Sequence, residues 1–158
     1  ITGSPCSGLQ HLHNMLRLTN AEVHTALELP QGEFECLFVA RDPRDVAPSM
    51  MVKTGKPVSD CANLWAANTQ RYFAVSQSHR THLVDYHKWT LDTEEELQAI
   101  AQFLGTGVSR YALEYPLEPH IGKYWQYLNP EQVLEVESIT KKVADELRSC
   151  HSNHYISW

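Results

Sequence analysis

The run Cys36-Leu-Phe-Val-Ala40 sets the first constraint on the fold. A strand with one wet face alternates apolar and polar residues, so an unbroken apolar run reads as a strand covered on both faces. Such a strand needs a layer of structure above it and another below. The chain supplies them by alternating strand-like with helix-like segments, the pattern of a parallel sheet flanked by helices in an α/β fold. Arg41 follows the strand at once. Asp42 then offers a helix cap with Pro43 in the first helical position, predicting a helix that runs toward Met51.

The other segments follow the same logic. Ile1-Thr2 reads as the end of a first strand, Gly3 to Gly8 as a tight loop, and Leu9 to Leu18 as a helix with Leu9, Leu12, Met15 and Leu16 on one side. Glu22 to Thr25 suggests a short strand and Pro30-Gln31-Gly32 a turn. A long helix is predicted over Val58 to Ser78 and a strand over Thr81 to Tyr86. Thr93 to Leu104 reads as a helix capped by Asp92 or Thr93 and stopped by Gly105. Tyr111 to Leu128 reads as irregular. Asn129 caps a last helix that starts at Pro130 and reaches about Cys150, and the tail from His151 to Trp158 has no clear pattern. No repeat or linker divides the chain, so one domain over 1–158 is expected. The opening Ile1-Thr2-Gly3 has no Met and already lies at a strand end, which suggests that the first strand is truncated.

Composition narrows the function classes. The chain has 158 residues, 42% of them hydrophobic, and a formal net charge of −6. That charge argues against a nucleic-acid partner, which wants a basic face. It leaves room for a small anion held by a few local donors. No apolar stretch is long enough for a membrane span. The four cysteines, Cys6, Cys36, Cys61 and Cys150, form no CxxC pair and match no zinc module. Buried free thiols fit a reducing compartment, so a cytoplasmic location is expected. The nine histidines lack partners at metal-ligand spacing, and no metal is expected.

Two motifs carry chemistry. A strand, then Gly3-Ser4-Pro5-Cys6-Ser7-Gly8, then a helix, is the recipe for an anion cradle. Glycines let backbone N–H groups turn inward, and the helix start adds partial positive charge. The GxxxxG spacing is that of a Walker A loop, but Leu9-Gln10 stands where Lys-[Ser/Thr] belongs. That disfavours a Mg-ATP kinase, which stays the lesser alternative. Gly3 and Gly8 alone fit plain turns equally well. The second motif is Arg41-Asp-Pro-Arg-Asp-Val-Ala-Pro-Ser49. It brings an arginine to the end of a strand, where open α/β sheets bind ligands, with a hydroxyl two turns into the next helix. The plain alternative pairs Arg41 with Asp42 or Asp45 and leaves Ser49 on a helix surface.

The second motif closely resembles the 3′-phosphate motif of the sulfotransferase family, and the Thr2–Gly8 loop resembles that family's 5′-phosphosulfate loop. Leu83-Val-Asp-Tyr86 with its following helix, and Ile121-Gly-Lys-Tyr-Trp-Gln-Tyr-Leu128 with Asn129-Pro-Glu-Gln, are similar to two further family segments in the same order. The resemblance implies a P-loop NTPase-like sulfotransferase fold, a three-layer sandwich around a parallel sheet. It implies 3′-phosphoadenosine 5′-phosphosulfate (PAPS) as donor, 3′-phosphoadenosine 5′-phosphate (PAP) as product, and no metal. Arg41 and Ser49 correspond to the residues that grip the 3′-phosphate. Gly3, Ser4, Pro5, Cys6, Ser7 and Gly8, with Leu9 and Gln10 at the helix start, correspond to the cradle of the 5′-phosphosulfate. Tyr86 and His11 fall near the adenine position, and Lys123 on a segment that returns toward the cofactor; a surface role suits His11 and Lys123 equally well. His24 corresponds to the catalytic base, with Glu22 as the alternative.

The acceptor implied is a hydroxyl or amine on a small molecule, glycan or peptide. The sequence departs from the family in two places. Cys6 replaces a lysine or arginine that assists the leaving group, which makes a binding module without turnover the alternative. The stretch between the first helix and Cys36 is short, so a partner subunit in a homo-oligomer is one source for the missing pocket wall.

Overall fold

The structure is a computed structural model and describes residues 1–17, 32–115, 119–150 and 158. Among the described residues three parallel strands form the sheet: β1 (Thr2–Gly3), β2 (Cys36–Ala40) and β3 (Thr81–Asp85), in the order β1-β2-β3. Thr2 lies opposite Phe38 and Gly3 opposite Val39; Cys36 to Ala40 lie opposite Thr81 to Asp85. The register brings the C-terminal ends of all three strands to one edge. The helices are α1 (Leu9–Leu16), α2 (Pro43–Thr54), α3 (Val58–Ser76), α4 (Tyr86–Leu91), α5 (Thr93–Leu104), α6 (Arg110–Leu113) and α7 (Pro130–Cys150), with a 3-10 turn at Lys123–Gln126.

The fully buried β2 strand is covered as its sequence demands. Leu37 and Val39, with Val84 of β3, pack on Leu12, Met15 and Leu16 of α1 and on Leu97 and Ile100 of α5. Phe38 and Ala40, with Leu83, pack on Tyr72 of α3 and Leu147 of α7. Phe38 and Tyr72 stack with ring centroids 4.5 Å apart. On that second side α2, α3 and α7 share a further core built on Val46, Met50, Trp65, Val136 and Ala144. The protein is thus an α/β structure with helices on both faces of a small parallel sheet.

Differences from the sequence expectations have local causes. β3 ends at Asp85, not Tyr86, because the Asp85 side chain accepts from His87 N at 2.8 Å and caps a six-residue helix that Tyr86 opens. That helix stops at Asp92, whose side chain caps α5. The stretch expected to be irregular holds two short elements among its described residues. Ser109 caps α6, and Gly122, at φ 66°, precedes the 3-10 turn. Four-residue elements carry too little periodicity to register in a sequence. α1 ends at Leu16 and α3 at Ser76, each two residues short of the expectation, and α2 runs on to Thr54. Asn129 and Gln132 cap α7 reciprocally: Gln132 N donates to Asn129 Oδ1 at 2.9 Å, and Asn129 N donates to Gln132 Oε1 at 3.0 Å. The strand expected at Glu22–Thr25 lies outside the described residues. Among those described, no helix is long and apolar enough to cross a membrane.

Leu12 is fully buried against both strands and α5, whereas Leu91 is 69% exposed. Leu12→Ala should therefore cost about 2–5 kcal/mol. Leu91→Ala should stay within about 0.5 kcal/mol. Urea unfolding of the two variants measures both.

Candidate functional site

The edge where the three strands end gathers the loop after β1, Arg41 after β2 and Tyr86 after β3. Gly8 ends the loop in the left-handed region, φ 97°. A Cβ there would come within 2.8 Å of two Tyr86 ring carbons, so only glycine lets the loop lie against that ring. Asp42, Asp85, Asp92, Ser109 and Asn129 cap their helices, but α1 has no side-chain cap. Its first turn therefore keeps the partial positive charge of an open helix start. Ser4 and Ser7 are buried, and neither hydroxyl has a hydrogen-bond partner among the described residues. Cys6 holds a left-handed conformation, φ 65°, and packs against the α2–α3–α7 core.

Arg41 is the central group of this edge and is 8% exposed. Its Nη1 donates to the Cys6 carbonyl at 2.7 Å, and its Nη2 donates to the His120 carbonyl. The guanidinium lies over the Tyr86 ring, 4.5 Å from the centroid. Its Nε is buried with no partner among the described residues. Its own carbonyl accepts from the Trp65 indole N–H at 3.0 Å, which fixes the strand end to α3.

Asp45 completes the arrangement one helical turn on. Its carboxylate accepts from Gly122 N at 2.7 Å and from Tyr124 N at 3.2 Å. Burial pushes this carboxyl above the ordinary carboxylate range, aided by nearby Asp42. The Gly122 N–H, the Arg41 charge and the Tyr124 N–H pull the other way. Asp42 caps α2 through Arg44 N at 2.8 Å and pairs with the Arg44 side chain, also at 2.8 Å. Hydrogen bonding to Asp42 raises the Arg44 pKa further above its usual range. Arg44 also lies over the Tyr124 ring, 5.0 Å from its centroid.

The expected site residues divide between two locations. Gly3 to Gly8, Leu9 and Gln10, Arg41 and Tyr86 meet at the strand ends. Ser49 lies further along α2, its hydroxyl donating to the Asp45 carbonyl at 2.9 Å. Gln10 is exposed and bonds Asn14 at 2.9 Å. His11 is exposed on α1, edge-on to Tyr115 with centroids 6.5 Å apart. Lys123 Nζ sits 3.2 Å from His120 Nδ1 on the segment that Arg41 and Asp45 hold. His24 and Glu22 lie outside the described residues.

The donor chemistry of this edge suits an anion: an open helix start, buried hydroxyls and a buried arginine. The cavity between Arg41, Asp42, Asp45, Tyr86, His87, Ile121 and Trp158 is about 20 Å³, room for one water. A larger cleft of about 500 Å³ runs between Pro43–Arg44 and α7. Its cations are matched by acids: Arg44 by Asp42 and Glu137, and Lys141 and Arg148 by Asp145. Among the described residues no group of three or more His, Cys, Asp or Glu could hold a metal ion.

Sequence reasoning missed Asp45, His120 and Gly122 as site residues. The second Asp of the Arg41–Asp45 stretch was the available signal, since it stands one helical turn from the arginine.

The raised Asp45 carboxyl has a measurable consequence. It binds its proton more tightly in the folded chain than in the unfolded one. The stability it contributes is fully present below its unfolded value, roughly 3.9, and is lost as pH rises through the raised folded value. Unfolding free energies of the parent and Asp45→Asn, measured from about pH 3.5 to about 6.5 around that value, should diverge in this sense. The parent declines relative to the variant as pH rises.

No family model, curated protein or solved structure matches the chain, so the functional reading rests on its own residues.

Proposed function

We propose that the chain is a PAPS-dependent sulfotransferase domain with a P-loop-like sulfotransferase fold. It moves a sulfuryl group to a hydroxyl or amine of a small molecule, glycan or peptide. The observation that carries this reading is the meeting of the Gly3–Gly8 loop, Arg41 and Tyr86 at the ends of three adjacent parallel strands. Ligands of open α/β sheets bind at such an edge.

The donor brings the activated sulfuryl group, and the chain's own residues do the rest. The loop backbone and the α1 start hold the anionic end with fixed dipoles. Arg41 is one hydrogen bond from the loop and supplies the buried positive charge. To grip a phosphate it exchanges a neutral carbonyl for a charged oxygen, and the bond to a charged acceptor is the stronger one. Ser49 joins by turning its hydroxyl away from the Asp45 carbonyl. In this reading His24, or else Glu22, takes the acceptor's proton.

Cys6 favours a second reading, a module that binds PAP without turnover. The loop has no lysine or arginine, and the Cys6 side chain packs into the α2–α3–α7 core. A thiol gives the departing phosphate no fixed charge.

Calorimetry with PAP, adenosine 5′-phosphosulfate and ATP tests the ligand. PAP should bind tightest, and Arg41→Ala should weaken it roughly 10- to 100-fold while erasing the preference for a 3′-phosphate. Equal binding of all three ligands by the parent would remove the reading.

Transfer from labelled PAPS across a panel of hydroxyl and amine acceptors separates turnover from binding alone. On the sulfotransferase reading the parent transfers slowly, and Cys6→Lys should raise turnover by roughly two to three orders of magnitude, the size of one transition-state donor. Silence from both proteins, with PAP bound, selects the binding module.

A further inference from the structure

Residues 120–124 are held by two grips of opposite charge. Arg41, at the end of β2, donates to the His120 carbonyl. Asp45, in the first turn of α2, accepts from Gly122 N and Tyr124 N. Between the grips Ile121 packs on the α1–α5 core, and Tyr124, at the Asp45 grip, packs on the α2–α3–α7 core. The guanidinium that holds His120 also holds the Cys6 carbonyl, so the loop and the segment share one cation.

We propose that residues 120–124 are an anion-released latch: an anion arriving at the Gly3–Gly8 loop draws Arg41 off the His120 carbonyl, while Asp45 keeps Gly122 and Tyr124, and the segment swings about that hold. The proposal rests on the anion-binding reading of the loop. Its chemistry follows from the two grips. A guanidinium bonds an anionic oxygen about twice as strongly as a neutral carbonyl, so an anion competes for Arg41. The same anion is repelled by the Asp45 carboxylate, whose hold is on backbone N–H groups. One grip therefore yields to the ligand and the other does not.

The space beside Arg41 is small. With His120 held, the cavity beside Arg41 is about 20 Å³, far below the several hundred Å³ of a small-ligand pocket. The positive φ of Gly122, 66°, puts the bend of the segment at the first residue that Asp45 holds. Lys123 lies between the two amides that Asp45 holds and stays with them.

The test is an NMR titration of the full, isotope-labelled chain with PAP and, separately, with inorganic sulfate. It follows the His120 carbonyl carbon and the Gly122 and Tyr124 amide protons. The expected result is a saturable shift of the His120 carbonyl while the two amides stay in place. Arg41→Gln, without any anion, should already show the His120 carbonyl in its released position. Binding with an unmoved His120 carbonyl, or with all three signals moving together, overturns the latch and leaves the proposed ligand standing. A response to sulfate but not to PAP keeps the latch and removes the nucleotide reading. No response to either removes both.

Discussion

The buried guanidinium of Arg41 ties together parts of the chain that are far apart in sequence. Through its two terminal nitrogens it joins the loop at Cys6 to the segment at His120, and through its face it rests on Tyr86 after β3. Its own carbonyl is fastened to α3 by Trp65. Removing a buried charge of this kind leaves carbonyls without donors, which is costly in a dry interior. The carboxylate of Asp45, one turn away, balances it and takes the opposite half of the backbone groups on the same segment. The edge where the strands end is therefore organised around two residues of opposite charge, Arg41 and Asp45, that each bond main-chain atoms.

Positive groups gather at this edge despite a formal charge of −6. The positive elements are local and fixed: a helix start without a cap and one arginine that packing shields from water. The acids nearby are each spent on a structural bond. Asp42 caps α2, Asp85 caps α4 and Asp45 holds the 120–124 segment.

Much of the fold was legible because its signals are strong and local. Cys36–Ala40 demanded two covered faces and received them from α1 and α5 on one side and α3 and α7 on the other. The caps at Asp42, Asp92 and Asn129 marked helix starts correctly, because a side-chain acceptor two or three residues before a free N–H is a short-range device. What escaped was short or long-range. Asp85 turned Tyr86 from a strand end into a helix start, a choice that no apolar pattern records. The sequence weighed Arg41 as either a phosphate fork or a partner of Asp42 or Asp45. Its bonds to the Cys6 and His120 carbonyls span 35 and 79 residues, and no pattern of spacing encodes them. Ser49 read as a ligand hydroxyl, yet its bond to the carbonyl four residues back is the ordinary fate of a serine inside a helix.

Arg41 and Asp45 hold residues 120–124 by carbonyl and amide groups rather than by side chains. Every residue but proline carries both groups, so the hold is indifferent to most of what the segment spells. Apart from Gly122, which the bend requires, and the apolar anchors Ile121 and Tyr124, the positions are free to change. His120 and Lys123 can thus drift over generations without loosening the fastening. The chemistry displayed beside the loop can be rewritten while the scaffold beneath it stays fixed.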